Sequence, residues 1–261
     1  MAIITLTTDF GTGSAYVAAV KGVILSINPE AAVVDISHKI PPHDIRRAAM
    51  LLDDASGCYP PDTIHLAVVD PGVGSERNIV YARIGGQQYV APDNGLLSRL
   101  AERIPPSKII RLSEPEYWRH PVSATFQGRD IMAPVAARLS LGLNPDLLGQ
   151  PLGQLHALDW PRVSSAPARI DGIVIDIDAF GNLITNIEAE SFAGRPTDRR
   201  VCIVCNIYEM WGIYRTYSDQ PSGSLIALID SSGRLEVALV GGNAARRLGI
   251  ELGTPVTLAW E

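Results

Sequence analysis

A carboxylate and a guanidinium stand close together in the stretch Val68-Val69-Asp70-Pro71-Gly72-Val73-Gly74-Ser75-Glu76-Arg77. An apolar run over residues 64–69 stops at Asp70, and a proline and two glycines follow at once. This pattern is typical of a buried strand that carries an acid to the end of a sheet and then turns back. We expect Arg77 to fold back beside Asp70 and hold it ionised, at a sheet end where ligands bind. Taken alone, the stretch favours a turn-capping Asp70 with Arg77 as a surface charge.

A second acid, Asp9, follows the first β-type run, residues 3–8, and precedes a glycine-rich turn and a helix over 15–27. A phosphate cradle is excluded, because the third glycine of that motif is absent and an acid before the turn would repel a phosphate. Asp9 is suited to accept hydrogen bonds from a sugar diol. The competing interpretation is an acid that caps the helix or the turn.

Alternating strands and helices predict how these acids are positioned. The N-terminal part is predicted to be a mostly parallel sheet flanked by helices, an α/β fold. Asp44 and Asp130 are predicted to be the N-caps of the second and fourth helices. The predicted strands cover residues 3–8, 32–36, 64–69, 79–84, 87–91 and 109–112, and the predicted helices cover 15–27, 46–55, 96–103 and 131–141.

Proline, glycine and serine crowd the chain around residues 144–168, which predicts a domain boundary. We expect an N-terminal domain over 1–150, a linker over 151–168 and a C-terminal domain over 169–261. Helical periodicity disappears in the last part, so the sequence predicts a smaller antiparallel β-barrel or sandwich. Its predicted strands are 170–177, 200–208, 225–229, 235–240 and 255–260.

Composition excludes several classes of function. The net charge is -6 with only 22 Lys and Arg, so no nucleic-acid footprint is present. No apolar run approaches the about 18 residues of a membrane span, and the N-terminus lacks a signal-peptide pattern. Three cysteines do not make a disulfide scaffold. Cys202 and Cys205 have CxxC spacing without a second pair, so we interpret them as strand residues and expect no metal site. A cytoplasmic protein is the resulting expectation.

Five spaced stretches occur in the order of one family: Asp9-Phe-Gly, Asp70-Pro-Gly-Val-Gly-Ser-x-Arg77, Ala91-Pro-Asp-Asn-Gly95, Asp178-x-Phe-Gly-Asn182-x-x-Thr-Asn186 and Gly242-Asn-Ala-Ala245. In this ordered set the chain resembles the S-adenosylmethionine (SAM) hydroxide adenosyltransferases, or SAM hydrolases, which are relatives of fluorinase and chlorinase. The resemblance covers essentially the whole chain.

The resemblance implies a homotrimer whose active site lies between the N-terminal domain of one subunit and the C-terminal barrel of its neighbour. It implies that the substrate is SAM, the products are adenosine and methionine, and no cofactor takes part. The implied catalytic residues are Asp70, Arg77 and position 127. The implied substrate contacts are Asp9 with the ribose hydroxyls, Asn182, Asn243 and Ala244 with adenine, Asp178 with the methionine ammonium, Ser231 with its carboxylate, and Ser14 and His43 as further lining residues.

This chemistry is displacement at the ribose 5′ carbon by water or hydroxide. A sulfonium is already a good leaving group, so the enzyme must supply an in-line nucleophile stripped of bulk water. Asp70 can accept a hydrogen bond from the water, and Arg77 can stabilise hydroxide character. An acid there repels halide, and the halogenases resemble this chain with an uncharged residue at that position. Hydrolysis is therefore favoured over halogenation.

The chain departs from the family at Gln127, where the resembling Thr-Phe-His-Gly-Arg-Asp stretch has histidine. Glutamine can hydrogen-bond a water through its carbonyl but takes up no proton near neutral pH. If proton uptake is the role of the histidine, its loss costs ~10²–10⁴ in rate; if the role is orientation, the cost is modest. We expect Gln127→His to raise turnover. The alternatives are a non-catalytic SAM or adenosine binder, a SAM-dependent halogenase and, more generically, a metal-dependent hydrolase.

Overall fold

The computed structural model describes residues 2–260. The chain forms two compact units that divide between Leu158 and Asp159. This division falls inside the stretch 151–168, which the sequence predicts to be a linker. Within the described residues, no helix has both the length and the apolar character that crossing a membrane requires.

The first unit is built on a six-stranded sheet in the order β2-β1-β3-β5-β4-β6. All neighbouring pairs between β2 and β5 are parallel, and β4 runs antiparallel to both β5 and β6. The predicted mostly parallel sheet is thus confirmed. The strands are β1 (Ile3–Thr8), β2 (Ala32–Ser37), β3 (Ile64–Val68), β4 (Ile79–Ile84), β5 (Gln87–Pro92) and β6 (Lys108–Arg111); the helices are α1 (Ala15–Ile27), α2 (Ile45–Ser56), α3 (Ser98–Arg103) and α4 (Ala133–Ser140).

Two apolar cores cover the two faces of this sheet. Helices α1 and α4 pack on one face, where Val20, Ile24 and Val135 join a core that includes Leu6. Helices α2 and α3 pack on the other face, where Leu52 is fully buried. The central strand β3 is buried at every position, so it reads as a nearly continuous apolar run in the sequence.

Local signals explain where these elements begin and turn. The Ser14 hydroxyl accepts a hydrogen bond from the Tyr16 amide at the start of α1, and the Asp44 carboxylate accepts one from the Arg47 amide at the start of α2. The predicted Asp44 cap is therefore confirmed. Strands β4 and β5 pair antiparallel across the turn at Gly85 and Gly86.

The second unit is a barrel-like sheet of nine short strands with one short helix. All pairs are antiparallel except β12 with β13. The predicted antiparallel β-domain is confirmed. The strands are β7 (Ser164–Ala166), β8 (Arg169–Ile177), β9 (Leu183–Glu188), β10 (Val201–Cys205), β11 (Tyr208–Trp211), β12 (Ile213–Tyr214), β13 (Leu225–Ile229), β14 (Arg234–Leu239) and β15 (Pro255–Trp260); the helix is α5 (Ala244–Leu248).

Two expectations for this unit are wrong. The predicted single strand over 200–208 is broken by a turn, in which Asn206 has a φ of 56°, and its end belongs to β11. Asparagine tolerates this left-handed conformation, so the chain can reverse there within an alternating apolar pattern. The expectation of no helix fails at α5, which is only five residues long and carries too little periodicity to show in the sequence.

The predicted N-cap role of Asp130 is also wrong. The segment Gly128–Met132 is a π-helical turn that leads directly into α4, so Asp130 lies inside the helical segment instead of before it. Its side chain is fully buried. The sequence alone suggests a cap, because an acid just before an apolar run looks the same whether it caps the helix or is buried inside the helical segment.

Candidate active site

A cavity of about 310 Å³ opens beside the carboxyl ends of β1 and β3. The chain leaves β1 towards β2 on one side and returns to β3 on the other, so this is the point where strand order reverses. Ligands of open α/β sheets bind at such points. The cavity is lined by Asp9, Phe10, Tyr16, Pro42, His43, Val68, Asp70, Val73, Thr125, Phe126, Gln127 and Gly128.

Asp70 and Arg77 form a two-pronged ion pair at this cavity. The Arg77 Nε donates to Asp70 Oδ1 at 2.7 Å and to Oδ2 at 2.8 Å, and its Nη2 also contacts Oδ2. Their side chains are only 4% and 10% exposed, so solvent screens the pair weakly. The turn between them is shaped by Gly74, which has a φ of 82° and lies so close to the Ala124 carbonyl oxygen that a Cβ would be 2.8 Å from it. The predicted fold-back of Arg77 is present.

Gln127 completes this group from a distant part of the chain. The Arg77 Nη2 donates to Gln127 Oε1 at 2.6 Å. The next residue, Gly128, packs against β3 so tightly that a Cβ would lie 2.9 Å from Val68 Cγ1. That close approach sets Gln127 beside Asp70, and it occurs at the start of a π-helical turn, a feature frequent at functional sites.

Asp130 anchors this π-helical turn. Its carboxylate accepts hydrogen bonds from Arg129 Nε at 2.7 Å, from Arg119 Nη1 at 3.0 Å and from the Ser123 amide at 2.9 Å. Burial raises the pKa of the Asp130 carboxyl, but these three donors outweigh burial and place its pKa below the ordinary value. An ionised Asp130 therefore fixes the loop that carries Gln127.

Asp9 lies on the wall of the same cavity, at the end of β1. Its Oδ2 accepts a hydrogen bond from the His43 amide at 2.9 Å, and His43 has a φ of 68°. A non-glycine residue in this conformation is held there by its surroundings. The remaining oxygen Oδ1 is available to a ligand hydroxyl. The turn is closed by the Gly11 amide, which donates to the His38 carbonyl at 2.9 Å.

Three aromatic rings form an apolar wall that the sequence-based search did not single out. Phe10, Tyr16 and Phe126 pack with ring centroids 5.0 to 5.8 Å apart, two of the three pairs edge to face. Tyr16 lines the cavity and is 58% exposed. The sequence did hold a signal: Phe10 directly follows Asp9, and Phe126 directly precedes Gln127.

The other predicted contacts lie in the second unit. Asn182 donates its backbone amide to Asp178 Oδ1 at 2.8 Å and its side-chain amide to Oδ2 at 3.0 Å. The Ala245 amide donates to the Gly181 carbonyl at 2.9 Å, so the loop that begins at Asp178 meets the start of α5. A Cβ on Gly181 would overlap the Asn243 side chain, which caps α5. The structure thus brings Asp178, Asn182, Asn243 and the buried Ala244 together.

Ser14 and Ser231 are placed less tightly. Ser14 is the N-cap of α1 and is not among the lining residues of the cavity. Ser231 is exposed, in the turn between β13 and β14 that Asp230 caps by accepting hydrogen bonds from the Ser232 and Arg234 amides.

A buried acid beside these loops escaped the sequence analysis. Glu236, in β14, is 2% exposed, and its Oε1 accepts a hydrogen bond from the Tyr217 hydroxyl at 2.8 Å. Burial raises the pKa of the Glu236 carboxyl to about 7; the Tyr217 hydroxyl opposes that rise, and the carboxylates Asp178 and Asp230 add to it. The available signal was a charged residue inside an apolar strand.

No group of three or more His, Cys, Asp or Glu side chains within residues 2–260 is arranged to hold a metal ion. What the first unit offers is a carboxylate, a guanidinium and a carboxamide in a half-buried, aromatic-lined cavity at a sheet switch point. The first unit is thus an α/β fold with a cavity of the kind in which small molecules bind, lined by charged groups and aromatic rings.

Comparison with known proteins gives the family. The model of the SAM hydroxide adenosyltransferase N-terminal domain matches residues 4–149, and that of the SAM hydroxide adenosyltransferase C-terminal domain matches residues 172–257. The chain belongs to the SAM hydroxide adenosyltransferase family.

Individual relatives agree with this assignment. The chain is 39% identical to an (R)-S-adenosyl-L-methionine hydrolase of Thermus thermophilus, over 96% of each chain. It is 25% identical to a fluorinase of Nocardia brasiliensis, over 97% of this chain and 95% of the fluorinase. The crystal structure of an uncharacterized conserved protein from Thermotoga maritima superimposes with a TM-score of 0.92 and 34% identity, over 98% of this chain and 99% of that one.

Proposed function

We propose that this chain hydrolyses S-adenosyl-L-methionine to adenosine and L-methionine, by attack of water or hydroxide on the ribose 5′ carbon. Family membership over nearly the whole chain supports the reaction. The observation that carries it is the partly buried group of Asp70, Arg77 and Gln127 at the cavity. This group needs no help from a cofactor, because the sulfonium leaves as a neutral thioether.

The proposed role of Asp70 is to accept a hydrogen bond from the attacking water. Arg77 keeps this carboxylate ionised and oriented through its two-pronged contact, and both groups are nearly excluded from solvent. A water held in this way has lost most of its freedom before reaction, which is the main contribution a site can make to displacement at a carbon with a good leaving group. The same negative charge disfavours halide, so we prefer hydrolysis to halogenation.

The proposed binding contacts divide between the two units. In the first, Asp9 accepts the ribose hydroxyls and His43 lines the cavity. Ser14, the N-cap of α1, is kept as a proposed contact although it lies outside the lining of the cavity. In the second, we propose three sets of contacts. Asn182, Asn243 and Ala244 read the adenine edge, Asp178 meets the methionine ammonium, and Ser231 meets its carboxylate. The joining of the Asp178 loop to α5 supports this grouping.

We further propose a homotrimer in which each active site combines the first unit of one subunit with the second unit of its neighbour. Phe180, in the loop between Asp178 and Asn182, is 77% exposed, as expected of an apolar residue that a neighbouring subunit covers. Sedimentation equilibrium tests the assembly: a mass three times that of the chain supports it, and a monomeric mass contradicts it. The free cysteines Cys58, Cys202 and Cys205 fit a reducing compartment, so we propose a cytoplasmic location.

Asp70→Ala tests the proposed reaction. Incubation with SAM and chromatographic measurement of adenosine and methionine should show turnover by the wild-type protein and almost none by the variant. The matched control is Asp198→Ala, which removes an aspartate paired to Arg200 at 2.8 Å on the exposed surface of the second unit and should leave turnover unchanged.

Each other outcome selects a different function. Tight binding of SAM without products from the wild-type protein would identify a binder. Formation of a 5′-halo-adenosine only when halide is added would identify a halogenase. Turnover that is abolished by a chelator would identify a metal-dependent hydrolase, and full activity of Asp70→Ala would refute the proposed mechanism.

A further inference from the structure

The direction in which Gln127 faces is fixed by its neighbour. The Arg77 Nη2 lies 2.6 Å from the side-chain oxygen Oε1 of Gln127. A guanidinium carries only donors, so the amide atom that meets it must be the oxygen. The orientation of the carboxamide therefore follows from chemistry and not from a choice between two similar amide atoms.

The amide nitrogen of Gln127 is left for the cavity. Gln127 lines the cavity, and within residues 2–260 the hydrogen bond of its side chain is the one that Oε1 accepts from Arg77, so its Nε2 has no donor contact there. The polar atom that this side chain can present to a ligand is thus an N–H donor. The sequence-based expectation that a water would meet the glutamine carbonyl does not fit this geometry, because Arg77 occupies the carbonyl.

We infer that Gln127 donates an N–H hydrogen bond to the reacting oxygen while Asp70 accepts one from it. This inference rests on the proposed function and deepens it. One lone pair of the water then binds Gln127, one O–H binds Asp70, and the second lone pair is left to attack. That lone pair forms the O–C5′ bond, the C5′–S bond breaks with its electrons going to sulfur, and the released proton passes to Asp70 and then to solvent.

The same polarity explains how glutamine can stand where the resembling family has histidine. A neutral imidazole that accepts from Arg77 with one nitrogen must carry its proton on the other, so it too presents an N–H to the cavity. Glutamine likewise presents an acceptor to Arg77 and an N–H donor to the cavity, but it has no titratable proton. The position orients the nucleophile and is not the base.

Three substitutions at Gln127 separate a donor from a proton acceptor. Gln127→Glu keeps the length and the contact with Arg77 but has no donor when ionised. Gln127→Met keeps the length and removes both. Gln127→His offers an acceptor to Arg77 together with a donor to the cavity only while its imidazole is neutral, above about pH 6.5. The assay is adenosine release from SAM, as kcat and KM against pH, with circular dichroism and calorimetric adenosine binding to confirm that each variant keeps its fold and its nucleoside site.

For a donor, we expect Gln127→Glu and Gln127→Met each to lose ~10²–10³ in kcat, the usual effect of removing one aligned donor, with adenosine binding retained. The sequence alone leads us to expect that Gln127→His raises turnover; the geometry replaces that expectation. We now expect Gln127→His to match the wild type within about threefold above the imidazole pKa and to lose activity below it, because a protonated ring can no longer accept from Arg77. The wild-type kcat should show no titration from position 127.

The inference is overturned if Gln127→Glu keeps or exceeds wild-type kcat, or if Gln127→His exceeds it well beyond threefold, since both results require a proton acceptor. These outcomes are distinct from failure of the proposed function, in which the wild-type protein itself releases no adenosine from SAM.

Discussion

Removing the charge of Glu236 should change how the stability of the protein depends on pH. Burial raises the pKa of this carboxyl from an ordinary 4.5 to about 7. The native state then keeps a proton that the unfolded chain releases between these two values. Because the native state binds more protons in this window, its stability falls as pH rises from about 4.5 to about 7 and is not regained above it.

The size of this effect follows from the same two values. A displacement from 4.5 to about 7 corresponds to roughly 3 kcal/mol at about 1.4 kcal/mol for each pH unit, as an upper limit. Glu236→Gln stays neutral at every pH and can still pair with the Tyr217 hydroxyl. As pH rises from about 4.5 to about 7, the free energy of unfolding should therefore fall less in the variant than in the wild type, by up to roughly 3 kcal/mol.

The measurement is urea unfolding at a series of pH values, followed by tryptophan fluorescence. Three of the four tryptophans, Trp160, Trp211 and Trp260, belong to the second unit, so the signal reports mainly on the unit that contains Glu236. Subtracting the Glu236→Gln curve from the wild-type curve removes the contribution of every other titrating group.

Tyr217→Phe supplies an opposite control. The tyrosine hydroxyl donates to the carboxylate and so favours its charged form. Its removal should raise the pKa of Glu236 further and move the loss of stability to higher pH. The reasoning is refuted if Glu236→Gln and the wild type lose the same stability over the window, or if Tyr217→Phe moves the loss to lower pH.

Three further outcomes follow from the site. Gly128→Ala should lower the free energy of unfolding in urea by about 1–3 kcal/mol and should lower kcat, because the new Cβ would lie 2.9 Å from Val68 Cγ1 and displace Gln127. Gly153→Ala is the control: nothing lies within 4 Å of its Cβ, so neither quantity should change. Asp9→Ala should weaken adenosine binding, measured by calorimetry, by about 1–3 kcal/mol. Asp9→Asn should weaken it less, because asparagine keeps an acceptor for the His43 amide. Equal binding by the wild type and both variants would remove Asp9 from the ribose site. Prolonged treatment with a chelator should leave adenosine release unchanged, and a loss that added metal restores would contradict the proposed mechanism.

Most of the framework could be predicted from the sequence, because it depends on local patterns. The helix over 15–27 and the strand over 225–229 were predicted with their observed bounds, since each has clear periodicity between polar or glycine-containing turns. The predictions failed where the local pattern was ambiguous. Asp130 looks like a cap in the sequence, and its true role depends on donors from Arg119 and Ser123 that only folding brings near.

The sequence by itself determined the two-part fold, the family and the acids at the ends of β1 and β3, because apolar periodicity and ordered motifs are properties of the chain as written. Only the tertiary structure decided what Gln127 offers to a ligand and how Glu236 titrates. Gln127 meets Arg77 across fifty residues of chain, and the pKa of Glu236 depends on burial within a sheet and on three neighbours from separate loops. Hydrogen-bond polarity and local dielectric are set by what surrounds an atom in space, which the linear order of residues does not specify.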